Sequence, residues 1–279
     1  MPKTVYYNGK FYENGEPVLP ISDRSVFFGD AVYDAIIGRG GGLFLHEEHF
    51  TRLSENAGRL NIPMPYSPKE LCDILYNVVK KANLPEYFLY IQVSRCSEER
   101  LHAYPDGCSS SLLITVSDFA LKPMETRLRL VSAEDRRYGF CNIKTVNLLP
   151  AVLASKSAET LGCDEAVFIR NGFVTECAHS NISILKNGRL ITHHDCERIL
   201  PGIAKKRLLS VCRSMGIEVA ERPFSLDELR GCDEALVTST TKLCLPASEL
   251  DGESIGGKDG KLLRDIQNHL FSEYANWTM

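Results

Sequence analysis

Apolar positions recur at helical spacing in the stretch from His46 to Leu60, where Phe50, Leu53, Ala57 and Leu60 form a stripe that predicts an amphipathic helix. A second helix is predicted after Ser67: the serine can cap it, Pro68 suits its first turn, and Glu70 completes a capping box ahead of Leu71, Ile74, Leu75, Val78 and Val79. Elsewhere the pattern shortens to runs with strand character, at Tyr87–Ser94, Leu112–Ser117 and Leu128–Ser132. Asn-Gly pairs at 8–9, 171–172 and 187–188 supply the two successive positive-φ residues of a tight type I′ turn, so each predicts a hairpin, the first over Val5–Phe11. Helices are also predicted from about Ala151 to Leu161, stopped by Gly162, from Ile203 to Met215 and from Leu262 to Tyr274, with a short one opening at Ser225. The pattern breaks at DFALKPME (118–125). The expected architecture is α+β in two domains, residues 1–118 and 126–279, with 119–125 as linker.

Composition narrows the function. The chain has 279 residues, 44% hydrophobic and 24% charged, with a formal net charge of −4 and both signs mixed along its length. No basic stripe tracks a phosphate backbone, so nucleic-acid binding is not expected. The ten cysteines form no CxxC pair and match no zinc module, which reads as reduced thiols in a cytoplasmic protein. The N-terminal MPKTVYYNGKFYENG lacks the apolar core of a signal peptide, and no apolar run approaches the roughly 20 residues that span a bilayer. No membrane association is expected.

A few side chains stand out chemically. Lys144 is the only charge in GFCNIKTVNLLPAVLAS (139–155) before Lys156, and its apolar neighbours Ile143 and Val146 predict a buried amine. Burial disfavours the ammonium, which makes such a lysine a nucleophile toward aldehydes and a general base. Taken alone, it reads first as a lysine whose ammonium reaches the surface, since most lysines are solvated. Glu176, in VTECAHSNISIL, needs a cation or hydrogen-bond donors if it is buried. Arg100 and His102 sit in RCSEERLHAYP, TSTTK (238–242) brings hydroxyls to a strand end, and PGIAKK (201–206) opens a helix whose free N–H groups favour an anion. His193, His194, Asp195 and Cys196 are metal-ligand types, but no second ligand group lies nearby in sequence. A metal hydrolase is therefore disfavoured and no metal is expected.

The order of these segments carries a resemblance. DRSVFFGDAVYDAI, EEHFTRL, RCSEERLHAYP, IKTVNLLPAVLA, EAVFIRNGFVTECAHSNI, ILPGI and ALVTSTTK resemble, in sequence, the D-amino-acid transaminases of the fold-type IV enzymes dependent on pyridoxal 5′-phosphate (PLP). The resemblance implies a smaller N-terminal α/β domain and a larger C-terminal pseudo-barrel domain that binds PLP. It makes Lys144 the catalytic lysine that bears the cofactor as a Schiff base, and Glu176 the carboxylate facing the pyridine nitrogen. Arg52, Ile203, Ala204 and Thr240 fall at positions that hold the phosphate, Leu200 packs on the ring, and Ser180 lies beside it. Tyr33, Arg100, His102 and Thr241 fall at substrate positions. In this family the arginine and histidine of the carboxylate trap reach in from the neighbouring subunit, which implies a homodimer with its active site at the subunit interface.

The expected activity is transamination of D-alanine- or D-glutamate-type amino acids with 2-oxo acids such as 2-oxoglutarate or pyruvate. The RxxxxRxH pattern favours D-substrates, because branched-chain enzymes place their anchor in a GTAAE-like loop where this chain has STTKLCLP. The alternatives are an L-branched-chain aminotransferase, an aminodeoxychorismate lyase and, more remotely, a non-catalytic PLP-binding protein. Two departures are visible. Ala178 and His179 stand where the family often has consecutive serines, and Ala204 lacks a threonine hydroxyl that would help hold phosphate.

Overall fold

The computed structural model describes residues 1–277 and divides into two compact units. The first comprises residues 1–120, the short segment Ile143–Asn147 and Trp277, and the second comprises 121–142 and 148–276. Among the described residues the strands form two sheets, of six and ten strands.

The first unit opens with β1 (Thr4–Tyr7) and β2 (Lys10–Tyr12), an antiparallel hairpin whose turn residues Asn8 and Gly9 have φ of 43° and 89°. A one-turn helix, α1 (Arg24–Phe28), is capped by the Asp23 carboxylate and stopped by Gly29 at φ 62°. It leads into β3 (Ala31–Arg39), then β4 (Gly42–Leu43), α2 (His46–Arg59), α3 (Pro68–Ala82), β5 (Glu86–Ser94) and β6 (Ser111–Asp118). The sheet is antiparallel throughout, ordered β2-β1-β6-β5-β3-β4. The capping box predicted at Ser67 and Glu70 is present, and the helix predicted over His46–Leu60 ends one residue earlier, at Arg59. Leu53, Ala57, Leu71, Leu75 and Val78 join Ile36, Leu89, Ile91, Val93, Ile114 and Val116 in one buried cluster. That burial is the main force seating the helices on the sheet.

β3 is the central piece for function, and it pairs residue for residue with β5 from Ala31↔Ser94 to Arg39↔Glu86. Near its start the returning segment lies alongside it. Tyr33 N donates to Lys144 O at 2.9 Å, Val146 N donates to Ala31 O at 3.3 Å, and Val32 bridges Thr145. Lys144 is thereby delivered to the first unit by a chain that has already entered the second.

The second unit contains β7 (Leu128–Glu134), α4 (Leu149–Thr160), β8 (Glu165–Arg170), β9 (Phe173–Cys177), β10 (Asn181–Lys186) and β11 (Arg189–Thr192). It continues with α5 (Ile203–Ser214), β12 (Val219–Glu221), β13 (Phe224–Ser225), α6 (Leu226–Arg230), β14 (Glu234–Thr238), β15 (Leu245–Leu250), β16 (Glu253–Ser254) and α7 (Gly260–Ala275). The sheet is mixed, with β7 parallel to both β8 and β15. The Asn-Gly hairpins predicted at 171–172 and 187–188 both form. Leu208, Leu209 and Cys212 of α5 pack with Leu263, Ile266 and Leu270 of α7. Among the described residues no helix is long and apolar enough to cross a membrane.

Candidate active site

In the first unit the groups gather along β3. Lys144 is half-buried; its Nζ donates to the Tyr33 hydroxyl at 3.3 Å and lies 4.3 Å from the centre of the Tyr33 ring. Tyr33 stacks on Tyr90 at 5.3 Å, and Tyr90 donates to Gln92 Oε1 at 2.7 Å, so the phenol is braced from behind. The next residue, Asp34, points to the opposite face of the strand and is fully buried. Arg52 grips it with two bonds, Nε to Oδ2 at 2.9 Å and Nη2 to Oδ1 at 2.7 Å, and His49 Nδ1 meets Oδ1 at 2.7 Å. Burial opposes ionisation of Asp34, but the charges of Arg52 and His49 outweigh it and hold the carboxyl well below the usual carboxylate range. Burial pushes His49 below its ordinary value against the pull of Asp34, and the charge of Lys144 acts in the same direction as burial.

Arg100 and His102 lie on an exposed loop with a rigid base. Asp30 accepts from Arg24 Nε and Arg95 Nε, each at 2.8 Å, and Arg24 donates on to Leu101 O at 2.6 Å and His102 O at 3.1 Å. The Arg100 guanidinium sits 5.3 Å from the Phe28 ring, and the His102 ring is also 5.3 Å from it. Tyr33 therefore accompanies Lys144, whereas Arg100 and His102 accompany Phe28.

In the second unit Glu176, on β9, is buried and held from several sides. Arg137 Nη1 donates to Oε1, Asn181 Nδ2 donates to Oε2 at 2.8 Å, and the Leu200 backbone N–H reaches Oε2 at 3.2 Å. Asp135 pairs with Arg137 at 2.9 Å and, with Glu176, holds its charge in place despite burial. Asn181 Nδ2 also donates to Leu200 O at 3.0 Å, which ties Leu200 to the carboxylate at both ends of its backbone. Two residues on, Gly202 is the N-cap of α5. The helix has no side-chain cap, so its first turn, with Ile203 and Ala204, presents backbone N–H groups. Thr240 and Thr241 lie in the turn after β14, where Ser239 Oγ and Thr241 Oγ1 are 3.3 Å apart.

Ser180 belongs to a neighbouring buried cluster. Glu165 Oε2 accepts from Ser180 Oγ at 2.9 Å and from Lys242 Nζ at 2.9 Å. Glu165 Oε1 takes the His179 backbone N–H at 3.1 Å and its Nδ1 at 2.7 Å. Lys242 Nζ also reaches His179 Nε2 at 3.0 Å and Ser180 Oγ at 3.1 Å. Burial would raise the Glu165 carboxyl, but His179 and Lys242 bring it down to about 2.

Residues 31–250 match the family described as amino-transferase class IV. The chain belongs to this family. It is 34% identical to a D-alanine aminotransferase of Bacillus licheniformis, with 97% of this chain and 98% of that protein aligned. It is 32% identical to a D-alanine aminotransferase of Listeria monocytogenes, covering 96% and 95%. Among solved structures it is similar to the branched-chain amino acid aminotransferase of Escherichia coli (TM-score 0.88, 22% identity, covering 100% and 95%). The branched-chain aminotransferase of Thermoproteus uzoniensis is similar too (TM-score 0.87, 23% identity, covering 98% and 97%). At that identity these two structures speak for the fold.

Class IV aminotransferases use PLP, and the groups in each unit of this aminotransferase fit such a cofactor. The first unit supplies a half-buried primary amine beside a phenol. The second supplies a buried carboxylate fixed in place and a helix start without a side-chain cap. An added Cβ at Gly202 would stand 1.9 Å from Asn181 Oδ1, so the close passage of backbone and amide depends on glycine. Several residues of these networks escaped the sequence reading: Asp34, His49, Arg137, Asn181 and Lys242. Asp34 had a usable signal, being an acid inside an apolar strand pattern that had to find a cation once buried. Arg137 had none, since EDRRYG reads as a solvated turn.

Proposed function

We propose that this aminotransferase moves the amino group of D-amino acids of the alanine or glutamate type to 2-oxo acids such as pyruvate or 2-oxoglutarate, using PLP. The observation that carries this is near full-length similarity, above 30% identity, to D-alanine aminotransferases. When bound, PLP supplies an aldehyde that a primary amine captures and a pyridinium ring that accepts electrons released at the substrate Cα.

Lys144 is the amine that would hold the cofactor and, once released, would relay a proton from the substrate Cα to the cofactor in the first half of the cycle and in the reverse direction in the second. Tyr33, in hydrogen-bond reach of Nζ, restrains the lysine so that one face of Cα–H is presented to it. Glu176 keeps the pyridine nitrogen protonated. Its links to Arg137, Asn181 and Leu200 N hold the carboxylate in one orientation while leaving it anionic. Leu200 packs on the ring and Ser180 lies beside it. Arg52, the N–H groups of Ile203 and Ala204, and Thr240 hold the phosphate. The Asp34 and His49 contacts fix the plane of the Arg52 guanidinium. Thr241, Tyr33, Arg100 and His102 receive the substrate, the last two from a partner subunit in a homodimer. Their exposure on a loop with a buried ionic base suits such a reach. The ten cysteines are all free thiols, which suits a cytoplasmic enzyme; cell fractionation tests that placement.

Borohydride reduction of the yellow holoenzyme followed by peptide mapping tests the assignment of the lysine. The label is expected on Lys144, and a label on another lysine would refute it. Comparing D-alanine with L-leucine as donors tests the stereochemical reading: faster turnover of L-leucine would refute it.

A further inference from the structure

We propose that His193, His194 and Cys196 form a binding site for a borderline-soft divalent cation of the zinc type, a role separate from transamination. The three follow β11 in the loop leading to α5, and the ligand-capable atoms, imidazole nitrogens of the histidines and Sγ of Cys196, lie within 4.8 Å of one another. Around a tetrahedral zinc ion, bond lengths of about 2.0–2.3 Å place such atoms roughly 3.3–3.7 Å apart. Closing the site therefore takes about 1 Å of side-chain rotation. His194 is exposed and Cys196 half-buried, so both can rotate.

The buried member is already set for coordination. His193 Nδ1 lies 2.9 Å from the His194 carbonyl oxygen, and donating its proton there leaves the Nε2 lone pair free, the arrangement that orients metal-bound imidazoles. The loop is pinned on both sides. Lys205, itself buried on α5, donates to His193 O at 2.6 Å and to Asp195 Oδ1 at 2.8 Å, and Cys141 N donates to Glu197 O at 2.8 Å. Asp195 thus neutralises the ammonium that would otherwise repel a cation, and the remaining ligands are two nitrogens and one sulfur. That donor set selects zinc-like ions over magnesium or calcium. Binding releases one proton, from the Cys196 thiol, and involves no change of oxidation state. Water completes the coordination.

The test uses metal-free holoenzyme titrated with Co²⁺, read as a difference spectrum against untreated holoenzyme. One ion per chain is expected, with a thiolate-to-cobalt charge-transfer band and tetrahedral d–d bands, all abolished by added Zn²⁺. Cys196→Ser should lose the charge-transfer band, and His194→Ala should weaken Co²⁺ binding at least about tenfold. Both variants should keep wild-type transamination, which shows that they fold. Absence of a thiolate band in the wild type would overturn the proposal. So would a band that persists in Cys196→Ser, because the ion would then be on another of the ten cysteines.

Discussion

Replacing Lys242 by methionine removes one charge from a buried pair while keeping a flexible side chain of similar length. In the native protein Glu165 is fully buried, and its carboxyl is lowered from 4.5 to about 2. At 1.36 kcal/mol per tenfold, this is a native preference for the ionised form of about 3 kcal/mol, shared among its partners. Removing one partner of a buried pair costs about 3–5 kcal/mol, because the other charge is left without compensation. Here the His179 N–H groups and the Ser180 hydroxyl still reach Glu165, which places the loss at the low end, about 3 kcal/mol. For a folding unit of this size, each kcal/mol moves the midpoint by roughly 2–4 °C, so Lys242→Met should melt about 6–12 °C below wild type at pH 7.

The pH dependence gives the sharper assay. A carboxylate whose native pKa is depressed stabilises the fold fully above its unfolded value, near 4.5, and that stabilisation is lost as pH falls through about 2. Without the ammonium, burial drives the Glu165 carboxyl upward in the variant. The melting gap should be constant from about pH 8 to pH 6 and close progressively below about pH 4.5. Differential scanning calorimetry of both proteins across this range decides the matter. A gap under about 1 °C at pH 7, or one that fails to narrow on acidification, refutes the ion-pair account.

Other substitutions probe other links. Gly202→Ala would push Asn181 off Glu176 and Leu200, so PLP should be lost on dialysis faster than from wild type, at a stability cost of about 2 kcal/mol read from urea unfolding. Gly38→Ala sets a Cβ 2.3 Å from both Gly42 O and the Tyr87 ring, a clash of about 3 kcal/mol that should show as a lowered thermal midpoint. Lys144→Ala should abolish transamination, and wild-type turnover in the purified variant would refute the assignment of the base. Mixing inactive Lys144→Ala and Arg100→Ala subunits should restore about a quarter of wild-type activity if each site draws on both chains, and none if a subunit is self-contained.

Much of the fold could be read locally, because the signals were backbone signals. Asn8-Gly9, Asn171-Gly172 and Asn187-Gly188 adopt positive φ, which few other pairs tolerate, and the Ser67 and Ser225 capping boxes form as their spacing requires. β3 was harder. It is buried over most of its length, so its apolar run lacks alternation, and Asp34 interrupts the run where a charge is affordable only because Arg52 and His49 arrive from α2. Nothing local announces that Ile143–Asn147 returns to pair with β3, since that pairing depends on Val32 and Tyr33, more than a hundred residues upstream. The candidate site divides along the same line. Lys144 and Glu176 were visible as isolated charges in apolar runs, whereas Arg137 and Asn181 acquire meaning only once the fold brings them to Glu176.

The departure at Ala178 and His179, together with Lys242, forms one local solution to a single electrostatic problem. Glu165 enters β8 with both carboxylate oxygens out of contact with water and must be supplied with donors. A run of serines after Glu176 would offer neutral hydroxyls. In this chain one hydroxyl remains, at Ser180, and the deficit is met by imidazole and ammonium groups. His179 engages both ring nitrogens, with Nδ1 2.7 Å from Glu165 and Nε2 3.0 Å from Lys242. Lys242 spends its donors on Glu165, His179 and Ser180. A cation so engaged is not at liberty to bind a substrate carboxylate. Its position beside Thr240 and Thr241 therefore makes it a strut for the turn that carries those hydroxyls, and the choice of substrate falls to residues whose side chains still have donors to give.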